Sequence, residues 1–197
     1  MAGERTCSIH RETRETDIHL TLNLDGEGTW ELDTGVPFMD HMLSHVAKHG
    51  LFDLAITCEG DVEVDAHHSV EDIGIVLGQA LREALGDKAG IARYGEQMLP
   101  MDEALVLVAL DFSGRSLLVY DAPLPAPRVG DFDTELVPEF LQALARHAGL
   151  TLHVKLFHGQ NTHHIIEAIY KGLGKALRQA VARDPGRSDV PSTKGVL

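Results

Sequence analysis

Apolar positions recur along the chain with two periods, and the two alternate in a fixed order. Between Pro37 and His49 the residues Phe38, Met42, Leu43 and Val46 line one side of a predicted helix, which Gly50 stops. Ser69 to Leu85 repeats Val70, Ile73, Leu77, Leu81 and Leu85 at helical spacing and ends at Gly86, a natural C-terminal cap. Val137 to His147 and His164 to Val181 predict two further helices. The segments Leu51 to Cys58 and Leu150 to Phe157 read as strands, each lying between two helices. Strand-like sequence precedes each helix–strand–helix run: Arg5 to Thr13, Asp17 to Leu24 and Thr29 to Thr34 in the first half, Ala92 to Leu99, Glu103 to Leu110 and Arg115 to Tyr120 in the second. Asp25-Gly26 and Ser113-Gly114 read as hairpin turns.

This order is that of an internal duplication. His67-His68-x-x-Glu71-x-Ile73 matches His163-His164-x-x-Glu167-x-Ile169 at an offset of 96 residues. Gly50-Leu51 matches Gly149-Leu150 at an offset of 99, which places a short insertion near Asp61 to Val64 in the first half. The expected architecture is α+β: a tandem duplication of a small sheet-plus-two-helices unit, over residues 5–90 and 91–183, packed as one body with helices on one face of each sheet. The loop Ala122 to Gly130 is the one linker-like stretch, and the tail 184–197 reads as irregular.

The repeated motif carries the chemistry. Residues three apart on a helix share a face, so His68 is expected beside Glu71, and His164 beside Glu167, each pair gripping one cation, while His67 and His163 reach the other half's ion. His41 on the preceding helix is a candidate fourth ligand, and its second-half counterpart falls at Glu139. Imidazole and carboxylate together suit Mn, Fe or Zn, and the lack of thiolates disfavours a structural zinc site. His45 and His49 follow His41 at i+4 and i+8 and are expected as neighbours of the site. His10, His19, His147, His153 and His158 read as surface or packing residues. A solvated helix start explains one such motif, but not two copies in register.

Composition narrows the partners. The 197 residues include 44% hydrophobic and 24% charged positions, an ordinary globular balance. Against 17 Lys and Arg stand 30 Asp and Glu, a net charge of −13, which disfavours nucleic acid and anionic membranes as partners. The 12 histidines are the unusual number. Two cysteines form no disulfide framework, the charged N-terminus lacks the apolar core of a signal peptide, and the run Ala104 to Leu110 is too short for a bilayer. A cytoplasmic protein is expected. Basic residues near the motifs (Arg93, Arg115, Lys171 and Lys194, the last beside Ser192 and Thr193) suggest an anionic substrate.

These residues resemble the imidazoleglycerol-phosphate dehydratase family. The likeness runs through Arg11-x-Thr13-x-Glu15-Thr16, Pro37-Phe38-x-Asp40-His41-Met42-Leu43, Asp65-x-His67-His68-x-x-Glu71-Asp72 and Asp102-Glu103-Ala104. It continues through Asn161-x-His163-His164-x-x-Glu167-Ala168-x-x-Lys171 to Pro191-Ser192-x-Lys194-Gly195-Val196-Leu197. The resemblance implies halves like domain 2 of ribosomal protein S5, two Mn²⁺ ions per active site, and an octahedral homo-oligomer of 24 chains built from trimers, with sites between subunits. By position it implies one ion on His41, His68, Glu71 and His163, and another on His67, His164, Glu167 and Glu139, where some relatives carry His. It implies substrate contacts at Glu15, His41, His45, His49, His67, His68, Glu71, Arg93, Arg115, His163, Glu167, Lys171, Ser192, Thr193 and Lys194. Glu15 is expected to move protons, with His45 and His49 as further catalytic candidates. Two rivals fit the ligand pattern: a dinuclear metal phosphatase, and a non-catalytic metal-binding assembly protein.

Overall fold

The computed structural model describes residues 5–197. Met1 to Glu4, which open the charged N-terminal stretch, lie outside them. The elements run β1 (Thr6–Glu12), β2 (Thr16–Asn23), β3 (Trp30–Asp33), α1 (Pro37–Gly50), β4 (Asp53–Gly60), α2 (His67–Leu85), β5 (Tyr94–Met101), β6 (Ala104–Asp111), β7 (Leu117–Asp121), β8 (Arg128–Val129), β9 (Phe132–Asp133), α3 (Leu136–Ala148), β10 (Thr151–His158) and α4 (Thr162–Val181). The sheets have the orders β1-β2-β4-β3 and β5-β6-β10-β7, the same plan twice. In each, three strands are antiparallel neighbours and the fourth joins in parallel, β3 on β4 and β7 on β10. The first-half insertion is visible as well: residues 61–66 connect β4 to α2, whereas 159–161 connect β10 to α4.

Strand alternation buries one face of each sheet. Ile18, Leu20 and Leu22 of β2 and Val106, Val108 and Leu110 of β6 are buried, with their neighbours in sequence turned outward. Helix α2 covers β1 and β2, and α4 covers β5 and β6. Across the halves α1 packs on α4 and α3 on α2, a pairing that exchanges under a pseudo-twofold rotation. The α2–α3 approach is close because Gly74 and Gly78 carry no side chain: a Cβ at Gly78 would stand 2.8 Å from the Leu144 carbonyl oxygen and 2.9 Å from the Ala148 nitrogen.

Both expected hairpin turns are crossovers instead. The chain leaves β2 at Asp25-Gly26 and returns as β3, but β4 arrives from further along the sequence and takes the place between them. The carboxylate of Asp53, at the start of β4, holds the loop in that path. Its Oδ1 accepts from Glu27 N at 3.0 Å, Thr29 N at 3.1 Å and Thr29 Oγ1 at 2.7 Å, and a side chain at Gly26 would collide with Asp53. Ser113-Gly114 likewise leads to β7 across β10, with Gly114 N donating to Gly149 O at 2.9 Å. The true hairpins turn at Arg14-Glu15 and at Asp102-Glu103, the latter with φ of 48° at Asp102. The short pair β8–β9 begins within the linker-like loop and was not expected.

Candidate metal centre

Local capping sets where each histidine pair begins. Asn161 caps α4, its side chain accepting from His164 N at 3.3 Å. Asp65 accepts from His67 N at 2.7 Å at the start of α2. Pro37 opens α1, where Asp40 Oδ1 accepts from Thr34 N at 3.1 Å and Thr34 Oγ1 at 2.6 Å. Both His-His pairs therefore sit in the first turn of a helix, and His41 sits one turn into α1.

The α1–α4 packing builds a cluster around Glu167. Its Oε2 lies 3.1 Å from His163 Nε2 and 3.6 Å from His41 Nε2. Its Oε1 lies 3.5 Å from His45 Nε2 and 2.5 Å from Lys171 Nζ. His41, His45 and Glu167 bring ligand atoms within 4.8 Å of one another. Glu167 is 7% exposed. Burial works to raise its pKa, and hydrogen bonds from Lys171 and His163 outweigh it and hold the carboxylate at about 2. Burial pushes His45 down to about 4, so its imidazole is neutral near pH 7 and offers a lone pair. The His45 Nε2 atom is buried and has no hydrogen-bond partner. An unpaired buried nitrogen beside an ionised carboxylate is what a cation ligand set requires before the cation arrives. His49 continues the same face, its ring 6.0 Å from that of His45, and burial lowers it too.

The spacing argument placed the second histidine of each pair beside the glutamate. In the structure the first one faces the glutamate, at i+4: His67 Nε2 is 3.8 Å from Glu71 Oε2, as His163 is from Glu167 at 3.1 Å. The second histidine turns toward the hairpins. His68 Nδ1 lies 3.0 Å from Asp61 Oδ2, with its Nε2 3.8 Å from Glu15. His164 Nδ1 lies 2.8 Å from Glu103 Oε2, with its Nε2 3.7 Å from Asp102. The hydrogen bonds raise both imidazoles above their ordinary pKa. A carboxylate on Nδ1 orients the ring and leaves Nε2 directed outward, the usual support of a metal-bound histidine. Asp61 and Glu103 are thus candidate site residues that motif reading missed as orienting groups. The signal was available in the duplication, since Glu15 and Glu103 occupy the same place in equivalent hairpins.

Within one chain the expected ligand sets do not converge. His68, Glu71 and His163 form no shared cluster, nor do His67, His164 and Glu167, among the described residues. Glu139 lies exposed in the first turn of α3 and joins neither. The basic residues divide as well. Lys171 belongs to the Glu167 cluster. Arg93, Arg115, Ser192, Thr193 and Lys194 line a separate cavity of about 810 Å³, together with Arg187, which sequence reading overlooked. Arg93 also anchors the tail, donating to both Asp111 oxygens at 2.6 and 3.1 Å and to Pro191 O at 2.7 Å. Strand β5 runs from this cavity at Arg93 to the hairpin beside His164, so its length separates the two by about 25–30 Å.

The model of one family, imidazoleglycerol-phosphate dehydratase, matches residues 34–177. Imidazoleglycerol-phosphate dehydratase of Moorella thermoacetica is 58% identical over 193 residues, covering 98% of each chain. That of Desulforamulus reducens is 57% identical with the same coverage. Among solved structures, the Staphylococcus aureus dehydratase superposes with a TM-score of 0.83 at 41% identity, over 91% of this chain and 99% of that one. The Pyrococcus furiosus protein, in complex with (S)-C348, gives 0.84 at 41% identity, over 96% and 100%. No helix among the described residues is long and apolar enough to cross a membrane.

Proposed function

The chain belongs to the imidazoleglycerol-phosphate dehydratase family of hydro-lyases, and from that membership we propose that it converts D-erythro-imidazole glycerol phosphate to imidazole acetol phosphate and water in histidine biosynthesis, using two Mn²⁺ ions per active site. The observation that carries this reading is the orphaned, neutral His45 beside the ionised Glu167, ringed by His41 and His163. His41, His45 and Glu167 would hold one ion, with His163 against the same carboxylate. His67 and Glu71 would hold the other, and the outward Nε2 atoms of His68 and His164 would complete such sites where neighbouring copies meet. Bound manganese supplies Lewis acidity toward an imidazole nitrogen and a fixed template for the ring.

The residues of the chain do the rest. Asp61 and Glu103 hold His68 and His164 in one tautomer. Glu15, exposed and beside His68, carries the proton taken from carbon. Lys171 keeps Glu167 ionised. Arg115, Lys194 and Ser192 hold the phosphate from the tail cavity. Because β5 separates that cavity from the Glu167 cluster, one small substrate reaches both only where two copies meet. This supports a homo-oligomer, and by family likeness an octahedral one of 24 chains built from trimers, in the cytoplasm.

The test is an assay of the purified chain on imidazole glycerol phosphate, with particle mass measured alongside. Chelation should abolish formation of the keto product and added Mn²⁺ should restore it. Full turnover by the metal-free protein, or release of inorganic phosphate, would overturn the proposal. Glu103→Gln keeps an acceptor for the Gln160 and Asn161 amides, which it meets at 3.2 and 2.7 Å, but removes the charge that orients His164. It should weaken metal uptake by about 10–100-fold with little change in Tm, as read by metal titration and calorimetry.

A further inference from the structure

The outer face of the first sheet carries a second, separate cluster of ligand atoms. His10 of β1 and His19 of β2 stand directly opposite each other, their rings stacked with centroids 4.0 Å apart and planes 7° from parallel. Both direct Nε2 at one atom, Asp17 Oδ1, at 2.8 Å and 3.7 Å. The three ligand atoms lie within 4.8 Å of one another. A tetrahedral zinc with bonds near 2.0–2.1 Å spaces its ligand atoms about 3.3 Å apart, and the two observed separations bracket that value. The side chains are about half exposed, at 50%, 43% and 60% for His10, Asp17 and His19, so water can fill the remaining positions.

The surroundings also favour a cation. Asp17 lies between Glu12 on β1 and Glu59 on β4, three carboxylates in one cross-strand row. Like charges in that arrangement are destabilising. Among the described residues no Lys or Arg pairs with Asp17, and its ion-pair partners are the two imidazoles. The fold itself does not ask for this set. In the equivalent hairpin β5–β6, Met98 opposes Leu107 where His10 opposes His19, and Leu105 stands in the place of Asp17. The duplicated half thus builds the same sheet with an apolar trio.

We infer that His10, Asp17 and His19 bind a divalent transition-metal cation of the zinc type on the sheet's outer face. Two imidazoles and one carboxylate match that class, and calcium or magnesium would prefer all-oxygen ligands. The ion would tie the edge strand β1 to β2. The inference does not rest on the dehydratase reading: the buried residues Ile18 and Leu20 put the helices on the opposite side of the sheet.

Zinc content per chain after saturation and gel filtration tests it, on the full-length protein as wild type, His10→Ala/His19→Ala and Asp17→Asn. Zinc also enters the other clusters, so the difference between proteins is the readout. The double variant should hold one zinc fewer per chain, and Asp17→Asn should weaken that last site about tenfold. Zinc should raise Tm more in the wild type than in either variant. Equal zinc content and equal Tm shifts in all three would overturn the inference. Should the double variant fail to fold, the Asp17→Asn comparison decides alone. Dehydratase turnover of the variants is expected to equal the wild type's in either case, which separates this test from that of the proposed function.

Discussion

Replacing Glu167 with glutamine should lower turnover of imidazole glycerol phosphate by at least about a thousandfold, or about 4 kcal/mol of barrier. The size follows from the position. Glu167 is the only carboxylate in the α1–α4 cluster of ligand atoms among the described residues, and four side chains from two helices converge on it: His41, His45, His163 and Lys171. Glutamine fills the same volume and keeps one oxygen. It loses the negative charge that draws a cation into the cluster, and it leaves the Lys171 ammonium uncompensated beside the site, repelling any ion that enters. Metal content per chain should fall together with turnover, while circular dichroism and particle mass stay at wild-type values. A variant that keeps both its metal and its activity would remove Glu167 from the ligand set.

The second large effect concerns stability. Gly95 in β5 lies against the last turns of α4, where a Cβ would overlap the Ala176 carbonyl oxygen and stand 2.8 Å from its carbonyl carbon and 3.1 Å from Ala180 N. These are backbone atoms held in a helix, and they cannot swing aside as a long side chain would. Gly95→Ala must therefore push α4 off the sheet that it covers, loosening the packing of β5 on α4, where Leu99, Leu173 and Leu177 are buried. The cost is expected at about 4 kcal/mol or more, above the usual range for overpacking. For a chain of this size that is a fall in Tm on the order of 10 °C, read by calorimetry. Gly86→Ala is the contrasting control for crowding, since nothing lies within 4 Å of a Cβ there, although its positive φ of 55° still strains alanine. A Gly95→Ala protein as stable as the wild type would mean that α4 tolerates displacement.

Much of the architecture was legible in the chain. The helices and strands come from periodicity, which is local, and the duplication comes from the second copy of His-His-x-x-Glu. Even the insertion between β4 and α2 could be counted from two offsets. Asp65 and the N-cap Asn161 each stand two residues before the histidine pair whose backbone they hold. The dehydratase family was likewise readable, because its motifs run in order along nearly the whole chain.

Three matters were settled elsewhere. Turn residues at Asp25-Gly26 and Ser113-Gly114 mark a reversal but cannot say which strand lies alongside after it. That was decided by β4 and β10, which arrive later and insert themselves. Helical spacing leaves both i+3 and i+4 neighbours within reach of Glu71 and Glu167, so the choice of histidine fell to Asp61 and Glu103, acids from other elements that capture the second ring. Six basic and polar residues near the motifs were read as one phosphate grip, yet the length of β5 puts Lys171 with the histidines and Arg93 with the tail. The sequence by itself determined which elements form, how often the plan repeats and which ligand types are present, since each depends on neighbours a few residues apart. Only the tertiary structure decided which of those side chains face one another, because that depends on groups brought together from distant segments, whose order in space no local spacing encodes.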